Sequence, residues 1–240
     1  MDSQPMTSSK IGLIFLFLFA SGCGHFVLPA SRLEPAEATG PGRVGRLDAI
    51  GIQSGTDLSS PSYTVPPKAG STDAPTTALN ASWANPFFAF TAGIGDQTDG
   101  QIKFEVDAPL MLKIKQQFYG ESASKATHGN FSVSGSLGAG FMLGTDTSLN
   151  SWTYLLGDVA LLAGYRFNIH HALTLSPYLS VPALFSDTTS NSGTEYGVGL
   201  LYQYTIESVF VSLEVNESKG SFAGSSLGGP TGSFAVGLNL

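Results

Sequence analysis

The feature that most limits what this chain can become is a polarity period of two, recurring over its last two thirds. At the C-terminus Phe234, Val236, Leu238 and Leu240 fall on one side, and Ser233, Ala235, Gly237 and Asn239 on the other. Successive side chains of a strand point to opposite faces, so this pattern marks strands lying between two different environments, whereas an amphipathic helix repeats every 3.6 residues. The same alternation separates Ile102, Phe104 and Val106 from Lys103, Glu105 and Asp107, and Leu110, Leu112 and Ile114 from Lys113, Lys115 and Gln117. It recurs over 131–143, where Phe131, Val133, Leu137 and Phe141 oppose Ser132, Ser134, Ser136 and Gly140, over 151–167, and over 209–216. Segments 86–94, 171–186 and 195–205 follow it less regularly. No amphipathic helical stretch competes. The expectation is an all-β chain, an antiparallel barrel of about 8–10 strands over 85–240; 44–54 is counted as a first strand because bacterial membrane barrels have even strand numbers.

Alternation alone does not say which face points outward, because a soluble barrel buries its apolar face and a membrane barrel exposes it. Three asymmetries favour the membrane. Several segments reach about ten residues, the length a tilted strand needs to cross the hydrocarbon. Their non-apolar faces carry Gly, Ser and Ala with few charges, and only 12% of the chain is charged, less than a water-facing surface normally carries. Connections also alternate in length when counted back from the C-terminus: 217–231 and 187–194 long, the turns near Ile206-Glu207 and at Asn168-Ile169-His170 short. The rule breaks at 120–130, long where a short turn is expected, and at the tight Ala108-Pro109. Trp152, Tyr165, Tyr202 and Tyr204, near strand ends, are candidates for interfacial aromatic girdles.

Ahead of the strands lies an apolar run from Ile11 to Ala20, preceded by Lys10 and followed by Ser21 and Gly22. It is too short for a bilayer-spanning helix and reads as an export signal, residues 1–22. Residues 23–84 are rich in Pro, Ser, Thr and Gly and read as an N-terminal linker, with 55–84 a connecting loop after the first strand. The lone cysteine, Cys23, excludes an internal disulfide and any site built from several Cys ligands. A net charge of −7 without a basic cluster argues against nucleic acid.

The run Ala20-Ser21-Gly22-Cys23 resembles the lipobox of bacterial lipoproteins. That resemblance implies cleavage before Cys23 and acylation of its thiol; Gly24, where an Asp would retain the protein in the inner membrane, implies sorting to the outer one. Two or more acyl chains, at roughly 0.8 kcal/mol per buried CH₂, make a stable anchor. The whole of 85–240 resembles the Gly-rich barrel-forming outer-membrane proteins of Gram-negative bacteria, some of which also carry lipoboxes, which implies a location and a fold but no activity.

The chemistry-bearing residues are few. His128 and the pair His170-His171 fall in connections, and adjacent His at a strand end point in opposite directions, so neither an acid–base pair nor a metal site is expected, and no cofactor. The charges Lys103, Glu105, Asp107, Lys113, Lys115, Asp158, Arg166 and Glu214 are expected to face the lumen and neutralise one another, with Glu105 opposite Lys113, rather than to line a selective pore. The leading functional reading is a non-enzymatic outer-membrane lipoprotein with a structural or docking role, in contact with membrane lipids and, through loops 55–84, 187–194 and 217–231, with an envelope protein. The alternatives are a narrow channel and a lipid-tethered soluble barrel binding an apolar ligand.

Overall fold

A computed structural model describes residues 26–40, 45–58, 63–65, 76–78, 81–145, 151–187 and 189–240. Residues 1–22, expected to be an export signal, Cys23 and most of 58–80 lie outside these residues. The described strands are β1 (Val27–Pro29), β2 (Arg46–Asp57), β3 (Tyr63–Val65), β4 (Thr76–Ala78), β5 (Ala81–Gly95), β6 (Thr98–Glu105), β7 (Leu110–Tyr119), β8 (Asn130–Thr145), β9 (Ser151–Arg166), β10 (His171–Ser186), β11 (Ser190–Ile206), β12 (Val209–Phe222) and β13 (Ser225–Asn239). Ten of them, β2 and β5 to β13, each pair antiparallel with the next. β13 then returns to β2, with Phe234 opposite Ile52 and Leu238 opposite Leu47, and the ring closes. The first barrel strand is therefore β2, which covers 46–54 of the segment 44–54 counted as a strand on the even-number rule and extends it to Asp57.

The two faces of the wall are inverted relative to a water-soluble barrel. Outside are Ile50, Leu137, Leu161 and Leu213, each 50–69% exposed. Inside are Asp48, Gln53, Asp99, Glu195 and Glu214, at most 2% exposed. The period of two thus resolves into apolar outward and polar inward.

The two ends of the barrel differ. At one end the chain enters through Gly45 and finishes at Leu240, whose N–H donates to the Gly45 carbonyl at 2.7 Å. The connections at this end are 96–97, 120–129, 167–170 and 207–208. Apolar residues run right up to them on the outer face: Phe167, Ile169, Ile206 and Val209 are all exposed. At the opposite end β11 and β12 overshoot the apolar band. There the exposed positions become Ser190, Ser192 and Thr194 on β11, and Glu217, Lys219 and Ser221 on β12. Three expected loops are corrected here: 55–84 gives 55–57 to β2 and 81–84 to β5 and holds the short β3 and β4, 190–194 of 187–194 belongs to β11, and 217–231 is a hairpin of β12 and β13 that turns at Ala223-Gly224, with φ of 50° and 81°. Short-range sequence reading stops a strand where apolar alternation stops, but hydrogen bonding carried on from the paired strands needs no apolar face.

The largest correction concerns residues 26–40, expected to be linker. They run inside the barrel along its length, all buried apart from the partly exposed Pro35 and Thr39. At the overshooting end β1 pairs with the edge of β2, Val27 opposite Asp57, and the Val27 N–H donates to Asp107 O at 2.8 Å. At the Leu240 end the Ala38 N–H donates to Gln117 Oε1 at 2.7 Å, and the Ala38 carbonyl accepts from Ala123 N at 2.8 Å. The division into a 23–84 linker and an 85–240 barrel gives way to a ten-strand wall, 46–240, around an internal strap, 26–40.

Candidate functional site: the occupied lumen

Three clusters hold the strap, in chain order. The first is apolar and sits at the overshooting end. The Phe26 ring meets Trp152 edge-on at 4.4 Å between centroids and Tyr154 at 6.1 Å, beside Leu28, Leu58, Met111, Met142 and Phe222. Trp152, expected in an outer girdle, points inward instead; Tyr165 and Tyr202 are exposed on the outside, and Tyr204 is half-buried. The alternation of 151–167 already put Trp152 in phase with Asp158 and Arg166, and phase outweighs aromatic type.

The second cluster is ionic and central. The Arg32 guanidinium bonds Asp158 and Ser180 and lies over the Tyr178 ring, 3.4 Å from its centroid. Lys113 Nζ stands between Asp158 Oδ2, at 3.0 Å, and Glu34. The Glu214 carboxylate accepts the Ser31 hydroxyl at 2.9 Å, the Arg32 N–H at 3.3 Å and the Leu33 N–H. Leu33 has φ of 51°, a left-handed conformation uncommon for a residue with a Cβ, and it turns these successive N–H groups toward one anion. Lys103 Nζ donates to Gln53 Oε1 at 2.7 Å and to the Ser31 carbonyl at 3.3 Å, with Glu105 at 3.8 Å.

At the Leu240 end the third cluster grips the end of the strap. The Arg166 guanidinium forks onto the Glu37 carboxylate, with Nε 2.9 Å from both oxygens, and Asn130 Nδ2 donates to the same group at 2.9 Å. Lys115 Nζ reaches Asp99 at 3.0 Å, Pro35 O at 3.0 Å and Glu37 O at 2.8 Å, while Asp99 accepts the Thr39 N–H. A planar guanidinium that engages both carboxylate oxygens fixes orientation as well as charge.

Of the residues expected in the lumen, Lys103, Glu105, Lys113, Lys115, Asp158, Arg166 and Glu214 face it. Asp107 does not; it occupies the β6–β7 turn with φ of 58°. The pairing of Glu105 with Lys113 is also corrected, since Lys113 stands opposite Gln101 and the cation nearest Glu105 is Lys103 on its own strand. The missed partners are Arg32, Glu34 and Glu37, and also Asp99. Three charges within six residues of an otherwise Pro- and Ala-rich stretch were the available signal, but no periodicity tied them to the wall.

The histidines are held locally: His170 Nδ1 lies 2.8 Å from the Thr205 carbonyl and His171 Nδ1 2.6 Å from the Tyr202 hydroxyl, while His128 is exposed. Among the described residues no three His, Cys, Asp or Glu are grouped to hold a metal ion. Spaces beside the strap in the central lumen amount to about 20 Å³ each, the scale of one water. A vestibule of about 270 Å³, lined by Glu37, Arg46, Arg166, Gln203 and Glu207, opens at the Leu240 end. No protein-family model, curated protein or solved structure matches the chain.

Proposed function

We propose that this chain is an outer-membrane β-barrel lipoprotein, closed by its own N-terminal strap, with a structural or docking role. The observation that carries the reading is the inversion of the wall: an apolar belt outside, paired ions and hydroxyls inside. In water such a belt far exceeds the apolar patch that a soluble monomer exposes. In hydrocarbon the backbone must bond internally and charges must turn inward and pair, and a closed barrel meets both demands. The lipobox-like run at Cys23 adds an acyl anchor to the belt. An apolar ligand is disfavoured by a lumen of salt bridges, and a standing channel by the strap that fills it. The polar rim of β11 and β12, beyond the belt, is the surface offered to an envelope partner.

The test is the Cys23→Ser protein, exported with its own signal. We expect it in the outer-membrane fraction, migrating differently on gels before and after boiling, and silent in planar bilayers. Release as a soluble periplasmic protein would refute the membrane barrel; steady single-channel steps from the full chain would replace the docking role with a pore.

A further inference from the structure

The direction in which the strap runs has a topological meaning. Residues 26–40 number fifteen, and an extended chain of that length reaches up to about 50 Å, more than the ~30 Å hydrocarbon core. The strap begins at the overshooting end, where Phe26 O accepts from Leu58 N at 2.7 Å, and reaches Gly40 at the Leu240 end. A Cβ on Gly93 would come within 2.0 Å of the Gly40 carbonyl, which places that residue beside the end of β5 near the 96–97 turn. The strap therefore crosses the whole barrel once, and the chain returns as β2.

The two rims are not equivalent. Outer-membrane barrels carry short turns on the periplasmic side and longer projecting structure outside. Three connections at the Leu240 end, 96–97, 167–170 and 207–208, are two to four residues long and flush with the apolar belt; the longer 120–129 bonds to the strap, Ala123 N–H donating to the Ala38 carbonyl at 2.8 Å. The other end projects polar strand beyond the belt at 190–194 and 217–221, and the long connection from Asp57 to Ala81 leaves from the same rim. That rim is the external one.

We propose that the mature N-terminus emerges at the external face, so that the acyl group expected on Cys23 sits in the outer leaflet while the C-terminus faces the periplasm. This rests on the membrane-barrel reading above. Cys23 is three residues before Phe26, a reach of at most about 11 Å. β1 is hydrogen-bonded to the edge of β2 at Gly55–Asp57, the last residues of that strand, and so lies at the rim of the wall. From there acyl chains fold over the near rim; the inner leaflet lies a full membrane thickness away. The barrel is then a surface-anchored lipoprotein that carries its own N-terminal segment through its lumen.

The experiment uses the full chain in cells, with an epitope inserted between Gly24 and His25. Barrel orientation is read separately with a membrane-impermeant maleimide on Ser221→Cys at the projecting rim and Ser208→Cys at the flush rim. We expect antibody to bind the epitope on intact cells, Ser221→Cys to label on intact cells, and Ser208→Cys to label only after permeabilisation. An epitope hidden on intact cells, in a protein that fractionates with the outer membrane and shifts on boiling, overturns the threading while leaving the barrel reading intact. Ser208→Cys labelling on intact cells with Ser221→Cys protected overturns the assigned orientation. A soluble periplasmic protein overturns both readings at once.

Discussion

Glu214 joins wall and strap by accepting from the Ser31 hydroxyl and two successive N–H groups. Its removal leaves three buried donors without an acceptor, and each such group costs about 1–3 kcal/mol. Glu214→Ala should therefore lower the temperature at which the barrel loses its unboiled gel migration, and Glu214→Gln, which keeps one acceptor oxygen, should lie between it and wild type. Asp158 answers to Arg32 and Lys113 together, so a double-mutant cycle of Arg32→Ala with Asp158→Ala should give a coupling of about 0.5–3 kcal/mol in denaturant titrations, whereas additive losses would dissolve the pair. Glu105→Ala should also destabilise, but less than Glu214→Ala, because Lys103 keeps Gln53 and the Ser31 carbonyl as partners. Most of the wall half of this site was legible in the sequence, since Lys103, Glu105, Lys113, Lys115, Asp158, Arg166 and Glu214 alternate with the outward apolar residues of their strands; Asp99, in phase with Lys103 and Glu105 on β6, lies ahead of the stretch where that alternation is clear. The strap half was not: Arg32, Glu34 and Glu37 meet wall residues 78 to 182 positions away, and nothing local in 26–40 encodes those partners.

At the scale of elements, the wall is thinned where the strap passes. A Cβ on Gly164 would stand 2.7 Å from the Ala36 Cβ, and one on Gly93 would strike the Gly40 carbonyl. Neither glycine has a positive φ, so what these positions require is room, not backbone freedom. The alternation predicts small inward residues but cannot tell a water-filled lumen from one that holds a chain. The strap itself reads as linker because it bonds through backbone groups to wall side chains, as Ala36 N does to Thr174 Oγ1 at 3.3 Å and Ala38 N to Gln117. Such a segment needs no period and tolerates proline. Gly93→Val should loosen the end of the strap while leaving the wall paired. Limited proteolysis of the detergent-refolded Cys23→Ser protein should then cut within 26–40, with the shift on boiling retained; a variant as resistant as its parent would mean that this close approach does not constrain the strap.

For the whole molecule, the ring closes at β2 and β13, and the strap immediately precedes β2 in the chain. Closure is between the first and last barrel strands, the most distant pairing in the sequence, and a loop of that length closes late and slowly. The strap lies inside the closed ring. It also completes the seam: β13 follows β2 only as far as Ser233 opposite Gln53, Ser54 Oγ holds Gly232 through its N–H at 3.0 Å and its carbonyl at 2.7 Å, and beyond that β1 takes the free edge of β2. Deleting residues 26–40 from the Cys23→Ser protein thus removes the lumen filling and one edge of the seam together. Asp158 keeps Lys113, but Arg166 loses Glu37 and Glu214 loses the Ser31, Arg32 and Leu33 donors. The belt and the ten-strand ladder are untouched, so the shortened barrel should still enter membranes, with a lower heat-shift temperature. The freed lumen should conduct where the full chain is silent, and a synthetic peptide of residues 26–40 should suppress that current. A deletion variant that inserts and shifts on boiling yet carries no current would mean that wall side chains alone close the lumen, leaving the strap to hold the seam.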